Sequence, residues 1–246
     1  MTFTIKIPPD FVLSSSVRSY GFFRLAPTVW DDEKGLLQRP LRYGNGLGGV
    51  APVFVSQTSG VLQVEVGKEL KDDHHLKQLN DQIVRMLRQV DFDLTSWYQL
   101  CPEASEKGFG RLFRSPTLFE DMVKTICCCN IGWKQTMSIC KKLCDEYGTD
   151  GAFPLPEDIA GEEEEALKSK AGVGYRADRL IRLAKKFVDG SIRSDWMEDK
   201  ETGKEELYDH IIGLHGFGPF ASANCLQLLG HFESFPFDSE TRRIFK

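Results

Sequence analysis

The sequence has no apolar run approaching the roughly 18 residues that a membrane-spanning helix needs. Its first residues, MTFTIKIPPDFVLSSS, also lack the basic start and continuous apolar stretch of a secretory signal. These absences argue against a membrane protein and a secreted one, so we expect an intracellular protein with no membrane partner. With 246 residues, 41% of them hydrophobic, the chain is long enough to bury a sizeable core.

The cysteines lack the spacing of a metal site. There are seven, an odd number, and three of them are adjacent at residues 127–129. No paired C-x2-C motifs of a zinc or iron-sulfur site are present. Cys140 and Cys144 are one helical turn apart, which suits two metal ligands and suits a buried helix face equally well. We expect small core residues in a reducing compartment, and no iron-sulfur cluster.

The hydrophobic pattern changes near Val66. Up to that point short alternating runs such as FTIKI, GVAPVFVSQ and GVLQVEV are separated by Gly, Pro and Asn, which predicts antiparallel strands and hairpins. Beyond it, apolar residues recur at spacings of three and four, which predicts helices. The chain should therefore be α+β, with a small antiparallel β-rich domain at residues 1–90 and an all-helical domain at residues 91–246.

Basic residues are concentrated locally although the net charge is −5. Between Ala166 and Arg193 there are eight lysines and arginines against Asp178 and Asp189. Such a run is commonly a solvated helix face. A local phosphate-binding surface is the alternative, because salt confines the influence of each charge to about 10 Å.

The segment LHGFGPFASANCLQLLG, residues 214–230, contains no Asp, Glu, Lys or Arg. With the preceding DHIIG it reads as a helix, a tight turn and a second helix that begins at Pro219. The glycines at 213, 216 and 218 would allow close backbone approach and positive φ. Backbone N–H groups at the start of the second helix could then bind a phosphate without any basic side chain. The alternative is a hairpin whose glycines serve packing alone.

This hairpin, followed by the aspartate of FPFD, resembles the helix-hairpin-helix and Gly/Pro-Asp loop of the HhH-GPD DNA glycosylases. The stretches TICCCNIGWKQTMSICKKLCDEYG and KAGVGYRADRLIRLAKKF resemble further segments of the 8-oxoguanine and alkyladenine branches. Those branches also carry a β-rich N-terminal part. The resemblance implies a base-excision-repair N-glycosylase that binds double-stranded DNA containing a damaged base, functions as a monomer and, in a eukaryote, works in the nucleus.

The resemblance also implies residue roles. Asp238 would be the catalytic carboxylate, which stabilises positive charge at C1′ of a flipped nucleotide and orients water; it also suits a helix N-cap. The other roles are DNA contacts by Gly216, Gly218, Phe220, Asn130, Tyr175 and Arg176, a base pocket with Phe220 and Asn224, and a monovalent cation held by the carbonyls of Ile212, Leu214 and Phe217. No cofactor would be required.

Departures from the family pattern narrow the expected chemistry. Phe220 occupies the position where bifunctional members carry a nucleophilic lysine, which implies a monofunctional enzyme that hydrolyses the bond to a damaged, alkylated base. Gln135 occupies the position of an arginine that reads the opposite cytosine in the 8-oxoguanine branch. The chain ends just after Asp238, so we expect the helical domain to be incomplete at its C-terminus. The alternatives are an inactive helix-hairpin-helix DNA-binding protein and an 8-oxoguanine glycosylase.

Overall fold

The computed structural model describes residues 1–44, 49–88 and 93–245. Among these residues, the chain forms two compact units. The first comprises residues 1–117 and 148–153, and the second comprises residues 118–147 and the chain from residue 154 onward. The boundary predicted between residues 90 and 91 lies outside the described residues, and the first unit continues past it to Thr117.

The first unit contains a five-stranded antiparallel sheet. Its strands are β1 (Thr2–Lys6), β2 (Val29–Asp31), β3 (Leu36–Tyr43), β4 (Gly49–Thr58) and β5 (Val61–Val66). Their order across the sheet is β1-β5-β4-β3-β2. Side chains in β3 alternate between half-buried and buried, which is the pattern of a sheet with one face on a core.

Helices complete the first unit. The amphipathic helix α2, residues Asp73–Leu87, packs against β3, where the side chain of Gln82 donates to the carbonyl of Arg42 at 2.7 Å. A 3-10 turn spans Gly21–Arg24. The helices are α1 (Leu13–Arg18), α2 (Asp73–Leu87), α3 (Thr95–Leu100) and α4 (Pro102–Lys107).

Helices are the only regular secondary structure in the described residues of the second unit. Its helices are α5 (Leu118–Cys128), α6 (Trp133–Tyr147), α7 (Pro156–Ala160), α8 (Glu164–Ala171), α9 (Arg176–Val188), α10 (Ser194–Met197), α11 (Lys204–Ile212), α12 (Pro219–Leu229) and α13 (Ser239–Ile244). The last strand of the described chain ends at Val66, where the sequence pattern changes from a period of two to one of 3.6. The predicted α+β class and order are therefore confirmed. None of the helices described is both long and apolar enough to span a membrane.

Helix α5 is the central helix of the second unit. It packs against α6, α9 and α12, and its residues from Leu118 to Cys127 are all buried. This burial includes an ion pair, in which Lys124 Nζ lies 2.6 Å from Glu120 Oε1 and both side chains are at most 3% exposed. A buried charge is tolerated when it is paired, and it becomes costly when its partner is removed.

We predict that Lys124→Met lowers the free energy of unfolding by about 3–5 kcal/mol, because it removes the cation that lies 2.6 Å from the buried carboxylate of Glu120. The matched control is Lys141→Met, which removes an exposed pair with Asp145 at the same helical spacing and distance, 2.6 Å. The control should lose less than about 1 kcal/mol. Urea denaturation of the three proteins measures both effects, and equal losses in the two variants would contradict the role given to burial.

Candidate functional site

The turn between α11 and α12 has only one glycine with positive φ. Gly216 has φ +97°, a conformation that favours glycine, whereas Gly213 and Gly218 have φ −72° and −92°. Of the three glycines expected to allow positive φ, only Gly216 therefore adopts it. Gly213 caps the end of α11, and Gly218 is the extended N-cap of α12, which are both conformations open to other residues.

Gly216 also makes a close approach to α9. A Cβ atom at this position would lie 2.6 Å from Cδ of Arg179 and 2.9 Å from its Cγ. These distances are shorter than any ordinary contact, so the stem of Arg179 occupies the space that a side chain at 216 would need. At Gly218, in contrast, an added Cβ would meet nothing within 4 Å.

The first turn of α12 presents backbone donors. Pro219 begins the helix as predicted, and the first intrahelical bond runs from Ser222 N to Gly218 O at 2.9 Å. The N–H groups of Phe220 and Ala221 therefore precede the hydrogen-bond ladder of the helix. Together with the positive end of the helix dipole, such groups form a favourable environment for an anion.

These donors border a cleft of about 590 Å³ in the second unit. The cleft brings together four parts of the chain that are distant in sequence, namely the α5–α6 turn, α9, the hairpin turn with the start of α12, and the segment before α13. Its lining comprises residues 128–131, Arg179, residues 216–221, Phe237 and Asp238. Of the predicted site residues, Asn130, Gly216, Phe217, Gly218, Phe220 and Asp238 are thus gathered in one place.

Asp238 is the only carboxylate among the described residues that line the cleft. It is the N-cap of α13, and its Oδ1 accepts a hydrogen bond from Thr241 N at 2.7 Å. The cap fixes the carboxylate relative to the helix, and the helix N-terminus stabilises its negative charge. The sequence-based expectation that this residue serves as a helix N-cap is met, and its catalytic role stays a prediction.

Asn130 lies in the turn between α5 and α6 with φ +51°, a left-handed conformation that asparagine tolerates. The turn is held by Arg176 from α9. This side chain is 4% exposed, and its guanidinium donates to the carbonyl oxygens of Cys129, Asn130 and Val173, the last two at 3.4 Å. In this structure Arg176 therefore organises the Asn130 turn from inside, and its predicted contact with DNA stays a prediction.

Tyr175 precedes α9 and is 51% exposed. The guanidinium of Arg176 lies 4.6 Å from the centre of its ring, and that of Arg179 lies 4.7 Å from it. Two cation–π contacts thus hold an exposed aromatic ring at the end of the helix that borders the cleft. Arg179 was not singled out as a site residue from the sequence, although its position one helical turn after Tyr175 could have indicated it.

Neither Asn224 nor Gln135 lines the cleft. Asn224 is 4% exposed within α12 and is not among the cleft residues, whereas Phe220 is half-buried and lines the cleft. Gln135 caps the start of α6, where its Oε1 accepts from Gly132 N at 3.1 Å. The base-pocket role of Asn224 is therefore a prediction without support from the cleft geometry.

Of the carbonyls predicted to hold a monovalent cation, that of Ile212 belongs to the last residue of α11, and those of Leu214 and Phe217 belong to the hairpin turn. That of Leu214 already accepts a hydrogen bond from Phe217 N at 3.1 Å, which leaves it a second lone pair. Carbonyl oxygens are suitable ligands for a hard cation. Elsewhere in the described chain, no group of three or more His, Cys, Asp and Glu side chains could hold a metal ion.

A polar contact joins the hairpin turn to α9. His215 Nε2 lies 3.0 Å from Asp178 Oδ2, and Arg182 Nε donates to Oδ1 of the same carboxylate at 2.7 Å. The hydrogen bond from Arg182 is the main cause that lowers the pKa of Asp178 below its ordinary value. The carboxylate is therefore ionised near neutral pH and binds both the turn and its own helix.

The cleft also contains two cysteines, Cys128 and Cys129. Burial raises the pKa of both thiols above the ordinary value. Both therefore remain protonated near neutral pH, which makes them poor nucleophiles. Cys127, Cys140, Cys144 and Cys225 are buried free thiols, consistent with the core role expected for them.

Comparisons with known proteins identify a family for the part of the chain that contains the cleft. The sequence profile of the HhH-GPD superfamily base excision DNA repair proteins matches residues 123–246, just over half of the chain. An N-glycosylase/DNA lyase from Saccharomyces cerevisiae is 28% identical over 161 residues, which cover 58% of this chain and 42% of that protein. The chain thus spans less than half the length of this curated relative.

Two solved structures share the fold. The 3-methyladenine DNA-glycosylase from Archaeoglobus fulgidus aligns over 98% of this chain and 91% of its own, with 17% identity and a TM-score of 0.71. The Clostridium acetobutylicum 8-oxoguanine glycosylase/lyase, in complex with double-stranded DNA containing cytosine opposite 8-oxoG, aligns over 99% of this chain and 83% of its own. Its identity is 14% and its TM-score is 0.69.

We predict that Gly216→Ala destabilises the second unit by about 1–3 kcal/mol, since the new Cβ is strained at positive φ and displaces the stem of Arg179. The control is Gly218→Ser, which enters open space at an N-cap position that serine favours. Thermal or urea unfolding should give the control a free energy of unfolding within a few tenths of a kcal/mol of that of the parent. If Gly216→Ala left the free energy of unfolding unchanged, the close approach of α9 to the turn would not depend on the missing side chain at residue 216.

Proposed function

Because the chain belongs to the HhH-GPD superfamily of base excision DNA repair proteins, we propose that it is a monofunctional DNA N-glycosylase that removes a damaged, alkylated base. The observation that carries this proposal is the cleft itself. Backbone donors at the start of α12, the exposed carboxylate of Asp238 and the half-buried ring of Phe220 lie together in it. The combination suits a substrate with an anionic backbone and a centre that becomes positive during reaction.

Double-stranded DNA is the partner that we propose for the hairpin. A phosphate would accept hydrogen bonds from N–H groups near Gly216, Gly218 and Phe220, which bind the backbone without reading sequence. A monovalent cation held by the carbonyls of Ile212, Leu214 and Phe217 would add positive charge beside that phosphate. The steps proposed below use only side chains and backbone of this chain, and no cofactor is required.

Access to the glycosidic bond requires the damaged nucleotide to leave the base stack. Tyr175 is exposed and held by two guanidinium groups, so it can enter the stack without first being ordered. Asn130 lies in the cleft on a turn that Arg176 fixes, and it would face the orphaned base. Side chains that fill the vacated space offset part of the few kcal/mol that flipping costs.

Asp238 would carry out the chemical step. As the bond between base and sugar breaks, positive charge develops at C1′, and a fixed carboxylate stabilises it more in the transition state than in the ground state. The same group can orient or deprotonate the attacking water. Within the described chain no lysine lines the cleft. Water is therefore the proposed nucleophile, and the expected products are a free base and an intact strand with an abasic site.

Two alternatives remain as outcomes of experiment. The yeast relative is an N-glycosylase/DNA lyase, which favours a test for strand cleavage and for 8-oxoguanine as a substrate. A DNA-binding protein without catalytic activity would retain the hairpin and lack excision. We further propose that the protein acts as a monomer inside the cell, in the nucleus if the source is a eukaryote.

We predict that Asp238→Asn lowers base excision by at least about 10²-fold, because it removes a charge that acts mainly in the transition state. Asparagine is as good an N-cap as aspartate, so α13 should keep its start. Single-turnover excision from a panel of alkylated and oxidised duplexes measures the rate, and anisotropy measures binding. Excision at the parent rate would rule out this catalytic role, and a parent inactive on the whole panel would favour the non-catalytic alternative.

We predict that borohydride traps no covalent adduct between the protein and lesion DNA, and that the strand stays intact until alkali is added. Both results follow from the absence of an amine at residue 220. Phe220→Lys places an amine in the cleft and should produce a trapped adduct. Its matched control is Phe220→Met, which keeps an apolar side chain of similar reach. An adduct formed by the parent would show that the enzyme is a lyase.

A further inference from the structure

Arg179 lies at the junction of the hairpin turn and α9. Its stem packs on Gly216, its guanidinium lies 4.7 Å from the centre of the Tyr175 ring, and the residue lines the cleft. Both ends of the side chain are thus restrained before any ligand binds. A restrained guanidinium loses less conformational entropy on binding than a free one.

The neighbouring arginines of α9 are occupied by other groups. Arg182 is paired with Asp178, and Arg176 is buried with its two terminal guanidinium nitrogens on backbone carbonyls. Arg179 is half-buried, and within the described residues it forms no ion pair. Its guanidinium lies 4.7 Å from the centre of the Tyr175 ring, and a cation–π contact of this kind uses none of the N–H donors in a conventional hydrogen bond, so they can bind a planar or tetrahedral anion.

We propose that Arg179 is a phosphate ligand that binds a DNA phosphodiester together with the backbone amides of the hairpin turn. The inference rests on the proposed function, since it assumes that DNA occupies the cleft. The N–H groups of Phe220 and Ala221 and the guanidinium are all donors, and they lie in the same cleft. Base edges present donors and acceptors together, whereas phosphate oxygens only accept, so this set of donors suits a phosphate.

A phosphate ligand has a signature in salt dependence. Each phosphate that a basic side chain neutralises contributes about 0.9 to the slope of log K against log salt. The Arg179→Gln variant should therefore bind an undamaged duplex with a slope about 0.9 smaller than that of the parent. Its affinity should fall most at low salt, and equally for duplexes of different sequence.

Arg182→Gln is the matched control, because it removes the same side chain one turn along α9 where Asp178 already neutralises it. This variant should keep the parent slope. Arg179→Lys should keep the slope as well, since it retains the charge, but should bind several-fold more weakly because lysine cannot form the bidentate contact. Anisotropy at four or more salt concentrations measures all slopes, and unfolding midpoints verify that each variant is folded.

The outcomes distinguish this inference from the proposed function. A parent that binds no DNA overturns the proposed function and the inference with it. A parent that binds DNA while Arg179→Gln keeps the full slope overturns the inference alone, as does equal weakening by Gln and Lys at unchanged slope, which would mean that Arg179 only supports Tyr175. A loss confined to one base opposite the lesion would also overturn it, because the residue would then read a base.

Discussion

The contact on which the rest of the candidate site depends is the close approach of α9 to the hairpin turn at Gly216. An added Cβ would lie 2.6 Å from Arg179, so the two elements meet only because residue 216 has no side chain. The approach puts Tyr175, Arg179 and the first turn of α12 in one region, and the Asp178–His215 contact adds a polar link. A separation of about one methyl group would move the aromatic ring away from the backbone N–H groups that begin α12.

The site also separates two electrostatic tasks. Backbone dipoles at the start of α12 provide positive potential, and they do so at fixed positions that no rotamer change can alter. The negative charge is supplied by Asp238, which is itself fixed by the N-cap bond to Thr241. A positive potential from fixed backbone dipoles and a negative side chain can therefore lie in one cleft. This explains why an uncharged turn and an exposed acid are compatible neighbours.

The spacing of hydrophobic residues was enough to predict the fold class from the sequence. The change in pattern at Val66 and the proline that begins α12 are local signals, and the structure has both at the predicted residues. A positive φ at Gly216 could also be predicted, but the sequence does not say which glycine adopts it, because glycine also adopts the ordinary conformations found at residues 213 and 218. Arg176 shows the limit of such reasoning. A basic residue after an exposed tyrosine suggests a surface contact, and only the packing of α5 against α9 reveals that it is buried on carbonyls of a distant turn. The unit boundary at Thr117 is equally a property of packing, with no local signal in composition.

The buried pair in α5 has a consequence for how the sequence can change over time. Glu120 and Lys124 are almost completely shielded from water and lie 2.6 Å apart. Replacement of either residue removes this close pairing while the other charge stays buried, whereas an apolar pair of similar volume can be as stable as the original. A protein that changes from the charged pair to an apolar pair must therefore pass through a destabilised single variant. We expect related sequences to keep both residues or to replace both, although neither residue lines the cleft.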